Sequence, residues 1–220
     1  MQPVQIQANT SRGGAKLLLG SAAALLLLIL FASVLEQVSW WYALLVVASM
    51  LGIFAGWAKL AEPKYFLQLD DEGVRFFHRL GSWHLPWQCF LYSGVPQLNE
   101  QNMAFIAFKL TDYDALLSNI PLRLAVKLMT EQRPLYIEAV RLGCAQGQCA
   151  TELLSEKDYF DTTTQRYHGI TAAFAWRMQR LAAATGFDVF VPVSLSDTDA
   201  QQLCRQINQY RLQLIRNTVT

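Results

Sequence analysis

The chain has 220 residues, of which 53% are apolar and only 16% charged, with a formal net charge of +1; it is more apolar than an average soluble domain, and the excess has to sit somewhere. Beyond Lys64 basic and acidic residues balance, which excludes a surface built to grip polyanions and argues against nucleic-acid binding. No GxSxG elbow, phosphate loop or dinucleotide fingerprint occurs, so enzyme classes that leave such marks find no support.

Residues 1–16 read as an N-terminal tail. The apolar excess follows it: Leu17 to Leu35 and Trp40 to Ala58 contain no charged residue, and each run spans roughly 28 Å as a helix, enough to cross a bilayer. Glu36 and Gln37 between them leave room only for a turn, so residues 17–58 are expected to form a two-helix transmembrane hairpin. A cleaved signal peptide fits less well, because the first run exceeds a usual h-region, no small-residue cleavage site follows it, and a second span comes at once. Arg12 and Lys16 precede the first span, Lys59 and Lys64 follow the second, and the turn carries Glu36 instead of a cation, which predicts both termini on the cytoplasmic side. Trp40, Trp41, Tyr42 and Trp57 suit the two interfacial belts. Gly20 and Ala24 in the first span, with Ala48, Gly52 and Gly56 in the second, predict close backbone packing within the hairpin; the same small face offers a homo-oligomer seam.

After Lys64 the period changes to two. YFLQL and VRFFH flank DDEG, which predicts a β-hairpin in which Gly73 supplies the positive φ of a tight reversal. A second break at Gly81 and Ser82 leads into WHLPWQCFLY, where Trp83, Leu85 and Trp87 fall on one face. Trp87 is thereby expected in the sheet core, and Pro86 marks an edge strand or bulge. Phe105 to Leu110 reads as a further strand. Residues 112–186 read as mainly helical: Pro121 opens a helix to about Gln132, Pro134 stops or restarts it, and Gly143 ends the second piece. A polar loop over 155–166 precedes a helix from His168 to Thr185, with Ile170, Phe174, Met178 and Leu181 on its apolar side and Gly186 just past its end. In the last helix Ser196 or Asp197 is the expected cap, and Leu203, Ile207, Tyr210 and Leu214 make the buried stripe.

Leu67, Leu69, Asp71, Gly73, Val74, Gly81, Pro86 and Trp87, followed near the end by GFDVFVPVSLSDTDAQQLCRQINQY, resemble a bacterial pleckstrin-homology-like domain. With the hairpin in front, and with FKLTDYDALL, RLAVKLMTEQRP and GFDVFVPVS, the chain is similar to a family of uncharacterised gammaproteobacterial inner-membrane proteins. The resemblance implies an α+β architecture: an N-terminal transmembrane helical hairpin, then an antiparallel PH-like sheet or barrel over 64–220, with a helical insertion over 112–186 and a C-terminal helix. It also implies a bacterial inner (cytoplasmic) membrane location and no particular activity.

Candidate chemistry is sparse. Cys89, Cys144, Cys149 and Cys204 lack zinc-ribbon spacing, and the AQGQ loop between Cys144 and Cys149 closes only under oxidation. His78, His84, Cys89 and His168 match no recurrent metal arrangement. Asp70, Asp71 and Glu72 sit on a hairpin tip and lack the alternation of a calcium loop. No metal or cofactor is therefore expected. Arg133, in MTEQRP, is placed near a helix C-terminus, where it complements the dipole or meets a ligand. Arg166, Arg177 and Arg180, with Trp176, form a cationic region suited to anionic headgroups, against ion pairing to Glu152, Asp158 or Asp161. The expected function is a membrane-anchored, non-catalytic binding or scaffolding module at the cytoplasmic face, contacting a protein or peptide partner or anionic lipid. The alternative is a membrane-associated enzyme of unrecognised class, which would need a deep pocket with perturbed ionisable groups.

Overall fold

The two apolar runs are rich in leucine and alanine and free of proline, which favours helix. In the computed structural model, which describes residues 3–7, 13–32, 40–98, 101–145, 157–193 and 199–219, they form α1 (Gly14–Ala32) and α2 (Trp40–Leu60). The expected turn at Glu36 and Gln37 lies outside the described residues, as do Arg12, Cys149, Glu152, Ser155, Ser196 and Asp197. The chain divides into two units, Ala8–Lys64 and Met1–Gln7 with Tyr65–Thr220. In the first, apolar side chains point outward: Leu26, Leu30, Phe31, Leu45 and Phe54 are all exposed.

The second unit is mixed α and β, with antiparallel sheets. Its first strand comes from the segment read as a tail: β1 (Val4–Gln7) pairs antiparallel with β2 (Tyr65–Leu69), with Val4 opposite Leu69 and Gln7 opposite Tyr65. Gln7 and Tyr65 are the residues that flank the helical unit. β3 (Gly73–His78) and β4 (Gly81–Pro86) complete a four-stranded sheet in the order β1-β2-β3-β4. Alternation sorts its faces. Leu67 opposite Phe76, Leu69 opposite Val74, Val74 opposite Leu85 and Phe76 opposite Trp83 are all buried, while Gln5, Gln68, Arg75 and His84 form a polar row across the other face. Pro86 ends the edge strand, where its missing N–H breaks no ladder.

Gly73 does not supply the positive φ expected of it; among the described glycines that conformation belongs to Gly13, Gly81, Gly169 and Gly186. Gly73 is needed for close approach instead, because a Cβ there would lie 2.2 Å from the Leu85 carbonyl oxygen.

A second, three-stranded sheet is built from β5 (Phe90–Gly94), β8 (Phe105–Leu110) and β11 (Val189–Pro192) in the order β11-β8-β5. β6 (Gln97–Leu98) and β7 (Gln101–Asn102) form a short hairpin before β8. The two main sheets share an aromatic core. Trp83 stacks on Phe76 at 5.4 Å between ring centroids and meets Phe108 of β8 edge-on at 5.8 Å, and Phe108 in turn meets Phe90 at 6.1 Å. Among the described residues the strands close no barrel.

The insertion holds α3 (Asp114–Leu117), α4 (Leu122–Glu131), α5 (Arg133–Ala145) and α6 (Gly169–Thr185). Gly143 lies inside α5, short of its end. Where a polar loop was expected, β9 (Tyr159–Asp161) and β10 (Arg166–His168) form a second small hairpin. The helices cover one face of the three-stranded sheet: Leu135, Tyr136 and Ala139 of α5 and Leu181 of α6 pack with Ala107 and Phe190. With both faces covered, β11 is buried along its whole length. Gly186, at φ 82°, ends α6 in the left-handed conformation, and its amide donates to the Ala182 carbonyl.

α7 (Ala200–Val219) closes the unit by burying Leu203, Cys204, Ile207 and Tyr210. Its cap is Asp199, whose Oδ2 accepts the Gln201 and Gln202 amides at 3.2 and 3.4 Å. Asn208 pins it to β5 by accepting the Ser93 amide at 2.9 Å and donating to the Ser93 carbonyl at 2.9 Å. Burial pushes the Cys204 thiol up to about 11, so it behaves as a small hydrophobe.

Candidate functional site

In the helical unit the small residues do two different things. Gly52 and Gly56 stand close to α1: a Cβ on Gly56 would lie 2.7 Å from the Leu18 amide nitrogen, and one on Gly52 would lie 2.2 Å from Ser21 Oγ. Their partners are Leu18 and Ser21, with Gly14 against Lys59 as a further contact. Gly20 has open space where its Cβ would stand. With Ala24, Ala48 and Ser49 it lines an apolar groove of about 530 Å³.

Of the basic residues named from the sequence, several are engaged within the fold. Arg133 is exposed as the first residue of α5, while the neighbouring Gln132 is buried and donates from Nε2 to the Phe190 carbonyl at 3.1 Å. Glu131 pairs with Lys127 at 3.1 Å. Arg166 forms a fork with Asp161, Nε to Oδ1 at 2.6 Å and NH2 to Oδ2 at 3.1 Å, and lies 4.4 Å over the Tyr159 ring. Trp176 donates from Nε1 to the Tyr159 carbonyl at 2.9 Å and meets Phe160 edge-on. Arg177 lies 4.2 Å over the Tyr136 ring and donates to the Met129 carbonyl, tying α6 to α4 and α5. Arg180 is half-buried on α6.

The hairpin tip gathers more chemistry than its sequence suggested. Asp70 Oδ1 accepts the amides of Glu72 and Gly73, both at 3.0 Å, so the aspartate folds the turn. Register places His84 opposite Arg75, one strand over. Ligand atoms of Asp70, Glu72 and His84 all lie within 4.8 Å of one another, and among the described residues this is the one such group. His78, Cys89 and His168 are not part of it; His78 Nδ1 accepts the Leu80 amide at 3.1 Å in the β3–β4 turn. Arg75 NH2 stands 3.9 Å from Asp70 and 3.6 Å from Glu72. On the other side of the turn Trp87 donates from Nε1 to the Asp70 carbonyl at 2.8 Å and stacks on Tyr210 of α7 at 5.9 Å. Burial raises the Tyr210 phenol, and the Asp71 and Asp70 carboxylates raise it further.

Two carboxylates escaped the reading of the sequence. Asp188 is fully buried, accepting the Leu110 amide at 2.8 Å, the Tyr113 hydroxyl at 2.7 Å and the Lys109 ammonium at 3.3 Å. An aspartate inside the apolar run GFDVFVP was its signal, since a buried carboxylate needs dedicated donors. Burial, reinforced by this carboxylate, drives the Tyr113 phenol far upward. Asp114 collects hydroxyls from Thr162 at 2.7 Å, Tyr167 at 2.9 Å and Thr164, pinning the β9–β10 hairpin to α3. Burial alone would raise its carboxyl, but these donors outweigh that and hold it below the usual range.

No curated protein and no solved structure matches the chain. A family match covers residues 67–213, more than half of the chain and nearly all of the mixed unit. The chain belongs to the family described as Protein of unknown function (DUF2982).

Proposed function

We propose that the protein is a membrane-anchored, non-catalytic binding or scaffolding module that displays its mixed domain at the cytoplasmic face of a bacterial inner membrane. The observation that carries this reading is the pairing of Gln7 with Tyr65. The residues on either side of the helical segment share one ladder, so the chain leaves and re-enters the domain at adjacent points. Two helices of 19 and 21 residues, each long and apolar enough to span, satisfy that return as an even number of crossings. A core helix of a soluble protein would be mostly buried, whereas almost none of the residues of these two are buried. Lys16, Lys59 and Lys64 favour the cytoplasm for the shared side.

We read the domain as PH-like on its antiparallel sheets and closing α7, with the insertion covering one sheet face. A tether raises the effective concentration of a weak binding surface beside the membrane, so modest affinity suffices. The partner is a protein or peptide, or anionic headgroups, for which Arg133 and Arg166 are the exposed cations among the basic residues named from sequence, Arg166 being paired with Asp161.

Crosslinking in native membranes, followed by identification of co-purified proteins and lipids, tests the reading. A defined protein crosslinked through the mixed domain, or anionic lipid retained through it, is expected. Release of the protein by alkaline carbonate, or a domain protected from proteases on the cytoplasmic side, would overturn it.

A further inference from the structure

We propose that Asp70, Glu72 and His84 form a binding site for a divalent transition ion, with Arg75 as the resident cation that the ion displaces. The three ligand atoms come from two places, the β2–β3 turn and the middle of β4, and strand register brings them together. Asp70 is already fixed, since Oδ1 holds the turn amides and leaves Oδ2 for another partner. Glu72 is the adaptable member, with a side chain 76% exposed. His84 Nε2 gives the independent indication. It is shielded from solvent and has no hydrogen-bond partner, a state that costs free energy unless something occupies the lone pair or proton. It is aimed at the turn: a Cβ on Gly73 would stand 2.9 Å from it, and the missing side chain is what lets the ring reach there.

The spacing fits one shared ion. Ligands at about 2.0 to 2.2 Å from a metal lie at most about 4.4 Å from each other, and the observed limit of 4.8 Å closes with a small movement of Glu72. One imidazole with two carboxylates suits zinc, manganese or cobalt better than calcium, which takes six to eight oxygens. Three protein ligands leave the remaining positions to water. Arg75 now offsets the two carboxylates from 3.6 and 3.9 Å. Those contacts are too long for good charge-assisted hydrogen bonds, so the guanidinium is easily displaced.

The test uses the full chain in detergent, stripped with chelator, then titrated with zinc chloride or manganese chloride by calorimetry. One equivalent of at least one of the two should bind. Glu72→Gln, at an exposed position that leaves the fold intact, should weaken binding about tenfold, and His84→Ala about a hundredfold, since even supporting residues around a metal cost 10- to 100-fold. Arg75→Gln should tighten binding severalfold by removing the competing charge, and His78→Ala should leave it unchanged. Failure of both ions to bind, equal binding in His84→Ala, or weaker binding in Arg75→Gln would overturn the site.

Discussion

Gln7 and Tyr65 are cross-strand partners although 57 residues of the helical unit, Ala8–Lys64, separate them. Their ladder turns the N-terminus into part of the domain: Ile6 is buried, and Gln5 stands opposite Gln68 on the polar face. Cross-strand partners lie about 4.5 to 5.5 Å apart at Cα, within reach of a disulfide. With the exposed Cys144 replaced by serine, Gln5→Cys with Gln68→Cys should therefore oxidise to an intramolecular crosslink, while Gln5→Cys with Arg75→Cys, two strands away, should not. Before oxidation, both introduced thiols should label from the same side of the membrane. Labelling from opposite sides would refute the even number of crossings.

The helical hairpin gives three glycines with different expected tolerance. Gly56→Ile drives its Cβ into the Leu18 backbone, which cannot swing away, and Gly52→Ile meets Ser21, whose hydroxyl can rotate but whose Cβ, 2.9 Å away, cannot. Gly20→Ile enters open space. Overpacking costs about 1 to 3 kcal/mol in close-packed regions, so protease resistance and membrane yield should fall for Gly56→Ile most, for Gly52→Ile next, and hardly at all for Gly20→Ile. A loss with Gly20→Ile as large as that with Gly56→Ile would point to a seam on the groove side, as an association between copies would require.

Trp83 and Trp87 sit four residues apart, yet only Trp83 is a core residue, at 1% exposure. Trp83→Ala should cost about 3 to 5 kcal/mol, measured as a fall in thermal stability of the full chain in detergent. Trp87→Ala loses one stacked partner, one edge contact with Phe90 and one hydrogen bond, for which about 2 kcal/mol is expected. The reverse ranking would mean that the β4–β5 turn, not the space between the sheets, is the better-packed region.

The same pair marks where sequence reading stops. Period-two alternation located β2, β3 and β4, and it holds as far as Leu85. The strand then ends at Pro86, and Trp87 enters a turn, so alternation carried one step too far put it in the core. β1 was illegible because VQIQ is four residues long and its partner strand lies beyond both helices. The β9–β10 hairpin is held by threonine and tyrosine hydroxyls on Asp114, a tertiary device with no local pattern. The tip cluster failed for a related reason. Residue type groups His84 with His78, Cys89 and His168, whereas register pairs it with Arg75 and brings it to two carboxylates of the turn. Patterns that repeat along the chain were readable; contacts set by register between strands were not.

Asp114 supplies a pH test of that hairpin. Its carboxyl is held below the usual range by donors from Thr164, Thr162 and Tyr167, against the opposing effect of burial. A folded-state value below the unfolded one, about 3.9 for aspartate, means that the ionised group stabilises the hairpin above that value, and the contribution disappears as pH falls through the folded pKa. Asp114→Asn keeps the shape but never ionises. The stability gap between wild type and Asp114→Asn should be constant from neutral pH down to about 5 and should narrow below about 4. Amide exchange in residues 159–168 should follow the same course, faster in the variant at neutral pH and converging with wild type in acid. A gap that stays open down to pH 2 would show that shape, and not charge, lets Asp114 hold Thr162, Thr164 and Tyr167.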